Sequence, residues 1–280
     1  MLKINMIGGG FQHEICSSAL NRNKHIEWMK DGSANISFYI DNEILLPTNK
    51  STRNYGWLME SSTIIPSVIN QVTNNINYYR ENFECIFTHD IRILEKSDIF
   101  KFAIPNAKPW VQNRKIYDKT KDVSIIVSNK SGLRGYNYRL AYLDKLIQIG
   151  GVDHYGRGFS NELPWTYEYN GIAESGKLLG LKDYRFSFAF ENDNYSNIFC
   201  EKLTDCFATG TIPIFWGTPD IGDFFDLDGI IVFDEKLDIN SLNEELYLSK
   251  MDAIKKNFEL AINLPSSEDY IYENYLKLIL

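Results

Sequence analysis

Two short polar pairs in this chain have side chains suited to chemistry. Glu191-Asn192 closes the apolar run 186–190, and Glu201-Lys202 lies a loop further on, where the pattern predicts the start of a helix. In open α/β sheets ligands bind outside the carboxyl ends of the strands, which is where Glu191 and Asn192 would stand. A helix N-terminus attracts anions through its free N–H groups and its dipole. Lys202 would add a point charge suited to a phosphate. Glu201 is a poor anion ligand and is better suited to accept hydrogen bonds from the hydroxyls of a sugar or ribose. For either glutamate alone, an ordinary helix cap or surface acid is the simpler reading.

The elements that must position these pairs follow from the apolar pattern. Residues 3–7, 34–40 and 85–88 read as strands, with a helical stretch at 64–81. The polar segment 105–122, with Pro105 and Pro109, reads as an inter-domain linker in which Lys119 and Lys121 are solvated. A second series follows: strand 123–127, a helix over 138–149, strands at 152–155 and 186–190, a helix from Glu201, and strands at 211–216 and 230–233. From Leu242 onward the chain reads as helical. Apolar strands alternating with helices predict parallel sheets covered on both faces. The predicted organisation is a first domain over 1–117, a second over 118–265, and a C-terminal helix at 266–280 that could pack back on the first.

The 280 residues suffice for two domains, and the balance of 44% hydrophobic and 24% charged residues is that of a folded globular protein. The net charge of −8 disfavours nucleic acid and anionic lipid as partners. No apolar run is long enough to span a bilayer, and no leader pattern opens the sequence. The expected location is cytoplasmic, with Cys16, Cys85, Cys200 and Cys206 as reduced thiols; a disulfide framework stays open at this level. No Cys/His group has zinc spacing. Gly8-Gly9-Gly10 reads as a turn rather than a phosphate loop of the G-x-G-x-x-G kind. Asp226-Leu227-Asp228 lies in a polar turn rather than at the end of an apolar strand, so no metal site is expected. The four histidines are scattered, and only His89-Asp90, after an apolar strand, is placed to line a cleft.

As a block, 184–225 resembles the signature of family 10 glycosyltransferases, the α-1,3/1,4-fucosyltransferases. Phe190-Glu191-Asn192 resembles its FEN, Cys200-Glu201-Lys202 its Ser/Thr-Glu-Lys triplet, and Ile212-Pro213-Ile214-Phe215-Trp216-Gly217 its following strand. Val127-Ser128-Asn129, Arg139, and Val152-Asp153-His154-Tyr155-Gly156 resemble further segments. Trp57-Leu58-Met59-Glu60-Ser61 resembles the segment that carries the family's base. Two positions depart from the pattern: Ile198 where the family has tyrosine, and Cys200 where it has serine or threonine.

The resemblance implies a GT-B-like fold, two Rossmann-like domains with parallel sheets facing across a cleft. It implies fucose transfer from GDP-fucose to a glycan hydroxyl with inversion, in an α-1,3 or α-1,4 linkage and with no cofactor required. Glu60 would be the catalytic base. Arg139 and Lys202 would hold the diphosphate and Glu201 the fucose hydroxyls. Ser128, Asn129, Glu191 and Asn192 would be further nucleotide contacts. Ile198 and Cys200 leave open a different nucleotide sugar on the same fold; a non-catalytic sugar-nucleotide or glycan-binding module is the other alternative.

Overall fold

A computed structural model describes residues 1–8 and 15–278. Gly9, Gly10 and His13 lie outside the described residues. The chain forms two compact units: Met1–Asn106 with Ser196–Ile198 and Pro265–Leu280, and Ala107–Tyr195 with Phe199–Leu264.

The first unit is built on a six-stranded sheet. Its strands are β1 (Leu2–Ile7), β2 (Ile26–Met29), β3 (Ile36–Ile40), β4 (Arg53–Leu58), β5 (Cys85–Thr88) and β6 (Phe100–Phe102). They lie in the order β2-β1-β3-β4-β5-β6, and every pairing is parallel. All five residues of β3 are buried because both faces of the sheet are covered. Ile36, Phe38 and Ile40 join one core with Tyr55, Trp57 and Phe87. Tyr39 points the other way, into a core with Val68, Val72 and Tyr79. Val68 and Val72 come from α1 (Pro66–Asn74), and Tyr79 from α2 (Ile76–Asn82). The helical stretch anticipated over 64–81 is thus two helices, broken at Asn75, whose ψ of 40° leaves the helical region. A short α3 (Ile91–Leu94) follows β5.

The second unit has a five-stranded parallel sheet. Its strands are β7 (Lys121–Ile126), β8 (Val152–Tyr155), β11 (Tyr184–Phe190), β12 (Ile212–Trp216) and β13 (Ile231–Val232), in the order β13-β12-β11-β7-β8. A separate antiparallel hairpin joins β9 (Thr166–Tyr169) to β10 (Ile172–Ser175). Phe186, Phe188 and Phe190 pack with Tyr142, Leu143 and Leu146 of α4 (Arg134–Ile149). On the opposite face Ala189 and Phe215 meet Leu203, Cys206 and Phe207 of α5 (Glu201–Ala208). Two further helices, α6 (Glu244–Ser249) and α7 (Met251–Ile262), complete this unit. The last helix, α8 (Ser267–Asn274), lies in the first unit, where Ile271 is fully buried with Ile4 and Phe38.

The segment read as a solvated linker is bonded into the second unit. The Asp205 carboxylate accepts the N–H groups of Trp110 (2.7 Å) and Val111 (3.0 Å), and Glu174 those of Gln112 (2.8 Å) and Asn113 (2.7 Å). Lys119 is not solvated either. Its ammonium donates to the carbonyls of Lys182 (3.0 Å) and Thr209 (2.8 Å) and to Thr211 Oγ1 (2.9 Å). Burial lowers its pKa to about 7. A polar run gives no signal of this, because the acceptors are backbone carbonyls of distant residues. Lys121 is exposed but pairs with Asp153 at 2.9 Å. Cys16, Cys85, Cys200 and Cys206 are all free thiols. Among the described residues no helix is long and apolar enough to cross a membrane.

Candidate active site

The carboxyl edge of the second sheet gathers most of the residues singled out above. Strands β7 and β11 are neighbours, so Ser128 and Glu191 emerge side by side just beyond their ends. The Glu191 N–H continues the ladder onto the carbonyl of Trp216 (2.8 Å). The N-terminal turn of α4 presses against this edge, with the Gly135 N–H donating to the Asn192 carbonyl at 3.1 Å. A Cβ at Gly135 would stand 2.2 Å from the Glu191 carbonyl oxygen, so only glycine allows the approach.

That approach sets Arg139, one turn further along α4, into the site. The residue is buried, its guanidinium lies over the Tyr136 ring (4.3 Å), and Nη2 donates to Ser128 Oγ (3.3 Å). Among the described residues its buried Nε–H has no hydrogen-bond partner, and neither does Asn192 Oδ1. Leaving such groups unpaired costs about 1–3 kcal/mol each, which a ligand with matching groups would recover. Desolvation lowers the Arg139 pKa, while Glu191 and Glu201 nearby favour its charge.

Glu191 is almost fully buried and caps α5 from a distance. Its Oε1 accepts the Cys200 N–H (2.8 Å), and its Oε2 accepts from Cys200 Sγ (3.0 Å) and Lys202 Nζ (3.3 Å). Cys200 sits at the N-cap, and its side chain accepts no backbone N–H of the helix. Burial, then the charges of Glu191 and Glu201, pushes the Cys200 thiol far up, so it stays protonated and donates to Glu191. Its sulfur accepts from Lys202 Nζ at 2.8 Å. Burial opposes the Lys202 charge, but the groups around it outweigh burial and hold its pKa above the ordinary value.

Sequence reasoning missed the partner of Glu201. Lys177, just after β10, places its ammonium 2.8 Å from Glu201 Oε1 and 3.1 Å from Asp205 Oδ2, against the Trp110 ring (4.3 Å). Burial opposes the Glu201 charge, yet Lys177 and Lys202 overcome it and draw its pKa well below the carboxylate range. For Asp205, more deeply buried, desolvation wins and the pKa is raised. A signal did exist: Glu201 and Asp205 stand one turn apart on one face of a buried helix, and two such acids need a cation. Nothing in the sequence said which.

Asn129 lies apart from this cluster, on an exposed turn where its N–H bonds the Arg157 carbonyl (3.0 Å). Asp226 is engaged in a turn: it accepts the Asp228 N–H (3.0 Å) and pairs with Lys256 (2.8 Å). Among the described residues no group of three or more His, Cys, Asp or Glu could hold a metal.

Glu60 belongs to the first unit, two residues past the end of β4, and is exposed. The Asp41 carboxylate accepts its N–H (3.0 Å) and that of Met59 (2.8 Å). At the same sheet edge, past β5, His89 is buried, and burial lowers its pKa to about 4. Asp90 caps α3, pairs with Arg92 (2.7 Å) and accepts a short hydrogen bond from Ser62 Oγ.

Two Rossmann-like parallel-sheet units, one with a buried arginine and a capped glutamate-lysine pair at its carboxyl edge, define a glycosyltransferase of GT-B type. Residues 116–259 match the profile of glycosyltransferase family 10 (fucosyltransferase), C-terminal part, and the chain belongs to that family. It is 28% identical over 184 residues to the alpha-(1,3)-fucosyltransferase FucT of Helicobacter pylori, across 64% of this chain and 35% of the relative. The chain therefore spans about a third of that relative's length. Its fold is similar to that of an alpha1,3-fucosyltransferase crystallised with GDP, at a TM-score of 0.55 and 16% identity, covering 99% of this chain and 88% of the other. A crystal structure of alpha1,3-fucosyltransferase with GDP-fucose aligns at a TM-score of 0.50 and 16% identity, covering 95% and 82%.

Proposed function

We propose that the protein transfers fucose from GDP-fucose to a hydroxyl of a glycan acceptor, with inversion and in an α-1,3 or α-1,4 linkage. The observation that carries this reading is the buried, incompletely bonded Arg139 guanidinium beside the Lys202–Glu191 pair at the start of α5. Its free Nε–H suits a phosphate oxygen, and a guanidinium can engage two such oxygens at once. In this reading the second unit is the donor domain and the first takes the acceptor.

Arg139 and Lys202 stabilise the charge that develops on the departing diphosphate, with no metal required. Glu201, kept ionised and fixed by Lys177, accepts hydrogen bonds from the sugar's hydroxyls. Ser128 orients the guanidinium, and Glu191 and Asn192 line the nucleotide. Asn129 would reach the nucleotide only from its exposed turn. The acceptor oxygen attacks the anomeric carbon as the bond to the β-phosphate oxygen breaks. Glu60 takes the hydroxyl proton, and GDP leaves. The sugar passes through an oxocarbenium-like state, as in glycoside hydrolysis.

A panel of nucleotide sugars tests the donor, with GDP-fucose expected to bind and turn over. The departure at Cys200 supports the second reading, a different donor sugar: its thiol is committed to Glu191 rather than presented as the family's hydroxyl. Turnover with another nucleotide sugar and none with GDP-fucose would select it. Glu60→Gln keeps the shape of the base and cannot take the proton. It should lower transfer by about two to four orders of magnitude, with GDP affinity unchanged. Transfer within a few-fold of the parent would remove Glu60 from the role.

A further inference from the structure

The first sheet carries a second carboxylate at the same edge, used in an unusual way. Strands β3 and β4 are parallel neighbours, paired up to Ile40↔Trp57. Directly after β3, Asp41 turns into the left-handed region at φ +50°. Glycine adopts that conformation without strain, and aspartate is only tolerated there. What aspartate adds is its carboxylate, buried at the strand ends, with Oδ1 taking the N–H groups of both Met59 and Glu60. Past the end of the β3–β4 ladder, one side-chain oxygen thus does what the next carbonyl of a strand would do.

The rest of the Glu60 loop is tied down on its other side. Ser61 Oγ meets Thr63 Oγ1 at 2.7 Å, and the Ser61 carbonyl accepts the Ile64 N–H at 2.8 Å. The link to Asp41 ties the backbone N–H of Glu60 itself. Burial lifts the Asp41 carboxyl to about 7 against the pull of these N–H bonds, and the charge of Glu60 adds to the rise, as expected for two carboxyls close together.

We propose that Asp41 is a positioning residue for Glu60, holding the backbone from which that carboxylate projects. The inference rests on the reading of Glu60 as base. Displacing a catalytic group by about 1 Å can cost on the order of a hundredfold in rate. Asp41→Gly relieves the backbone while deleting the tie, and Asp41→Asn keeps an oxygen that can accept both N–H groups.

The test is a cycle on the full chain, with GDP-fucose as donor and N-acetyllactosamine as acceptor probe. It compares Asp41→Gly, Asp41→Asn, Glu60→Gln and the Asp41→Gly/Glu60→Gln pair. Asp41→Gly should lower kcat by about 10- to 100-fold, with acceptor KM and GDP affinity within about threefold. Asp41→Asn should fall between it and the parent. Because Asp41 acts through Glu60, the double variant should be no slower than Glu60→Gln alone. If the glycine variant does not fold, Asp41→Ser takes its place, since a hydroxyl is too short to span both amides. A slow Glu60→Gln beside a normal Asp41→Gly, or a double variant slowed by the product of the two effects, overturns the positioning role and leaves Glu60 standing. An active Glu60→Gln overturns the base, and the positioning role falls with it.

Discussion

Lys177→Met removes the ammonium that pairs with both acids on one face of α5, Glu201 and Asp205. In the parent, the side chains of Lys177, Glu201 and Asp205 are 20%, 13% and 1% exposed, so the three charges sit largely out of water. Methionine retains the length and can still lie on the Trp110 ring. Without the ammonium, Glu201 and Asp205 face each other one turn apart with no cation between them. Removing one partner of a buried ion pair costs about 3–5 kcal/mol. With a urea dependence of about 2 kcal/mol per molar, the midpoint should fall by about 1.5–2.5 M. Pulsed hydrogen exchange along a urea series, read on peptides spanning α5, reports the second unit by itself. Asp205→Asn leaves an oxygen for the Trp110 and Val111 N–H groups while removing one stranded charge. The Lys177→Met/Asp205→Asn protein should therefore regain a good part of the lost midpoint. A Lys177→Met midpoint within about 0.3 M of the parent, or a double variant in which the two losses simply add, would refute the account of this cluster.

Arg139→Lys preserves the charge but not the two-pronged geometry, so GDP affinity by calorimetry should fall at least about tenfold; near-parental affinity would place the guanidinium away from the diphosphate. On the proposed reading, in which Arg139 and Lys202 supply the positive charge, transfer should survive chelation; complete loss restored by added metal would contradict it. Burial holds His89 neutral, with a folded pKa of about 4 against 6.5 in an unfolded chain. Its contribution to stability is thus fully present above pH 6.5 and is lost as pH falls through 4, to a total on the order of 3 kcal/mol. His89→Gln should flatten the stability profile across that interval, and an unchanged acid limb would show that His89 is not its source.

Much of the second unit was legible because its residues obey local rules. The run 186–190 announced a doubly covered strand, and the helix at Glu201 followed from spacing alone. Ser128, Arg139, Glu191, Glu201 and Lys202 could be named from short motifs, and they do converge at one sheet edge. In the first unit three strands were as plain, but the short edge strands Ile26–Met29 and Phe100–Phe102 went unread, and so did the break at Asn75, because a helical period runs on across it.

The sequence could not show what each charged group is bonded to. Glu191 was legible as a polar residue at a strand end, but not as the remote cap of α5, because the N–H it accepts comes from a loop that returns only in the folded unit. Lys119 read as a solvated cation and is enclosed by carbonyls; Lys177 read as nothing and anchors Glu201. Asp41 also drew no reading, and its carboxylate accepts the backbone N–H of Glu60. Periodicity and residue type determine which elements form and which faces they bury, since those depend on near neighbours along the chain. The partners of a buried charge depend on which distant segments arrive beside it, and in this protein only the tertiary structure decided that.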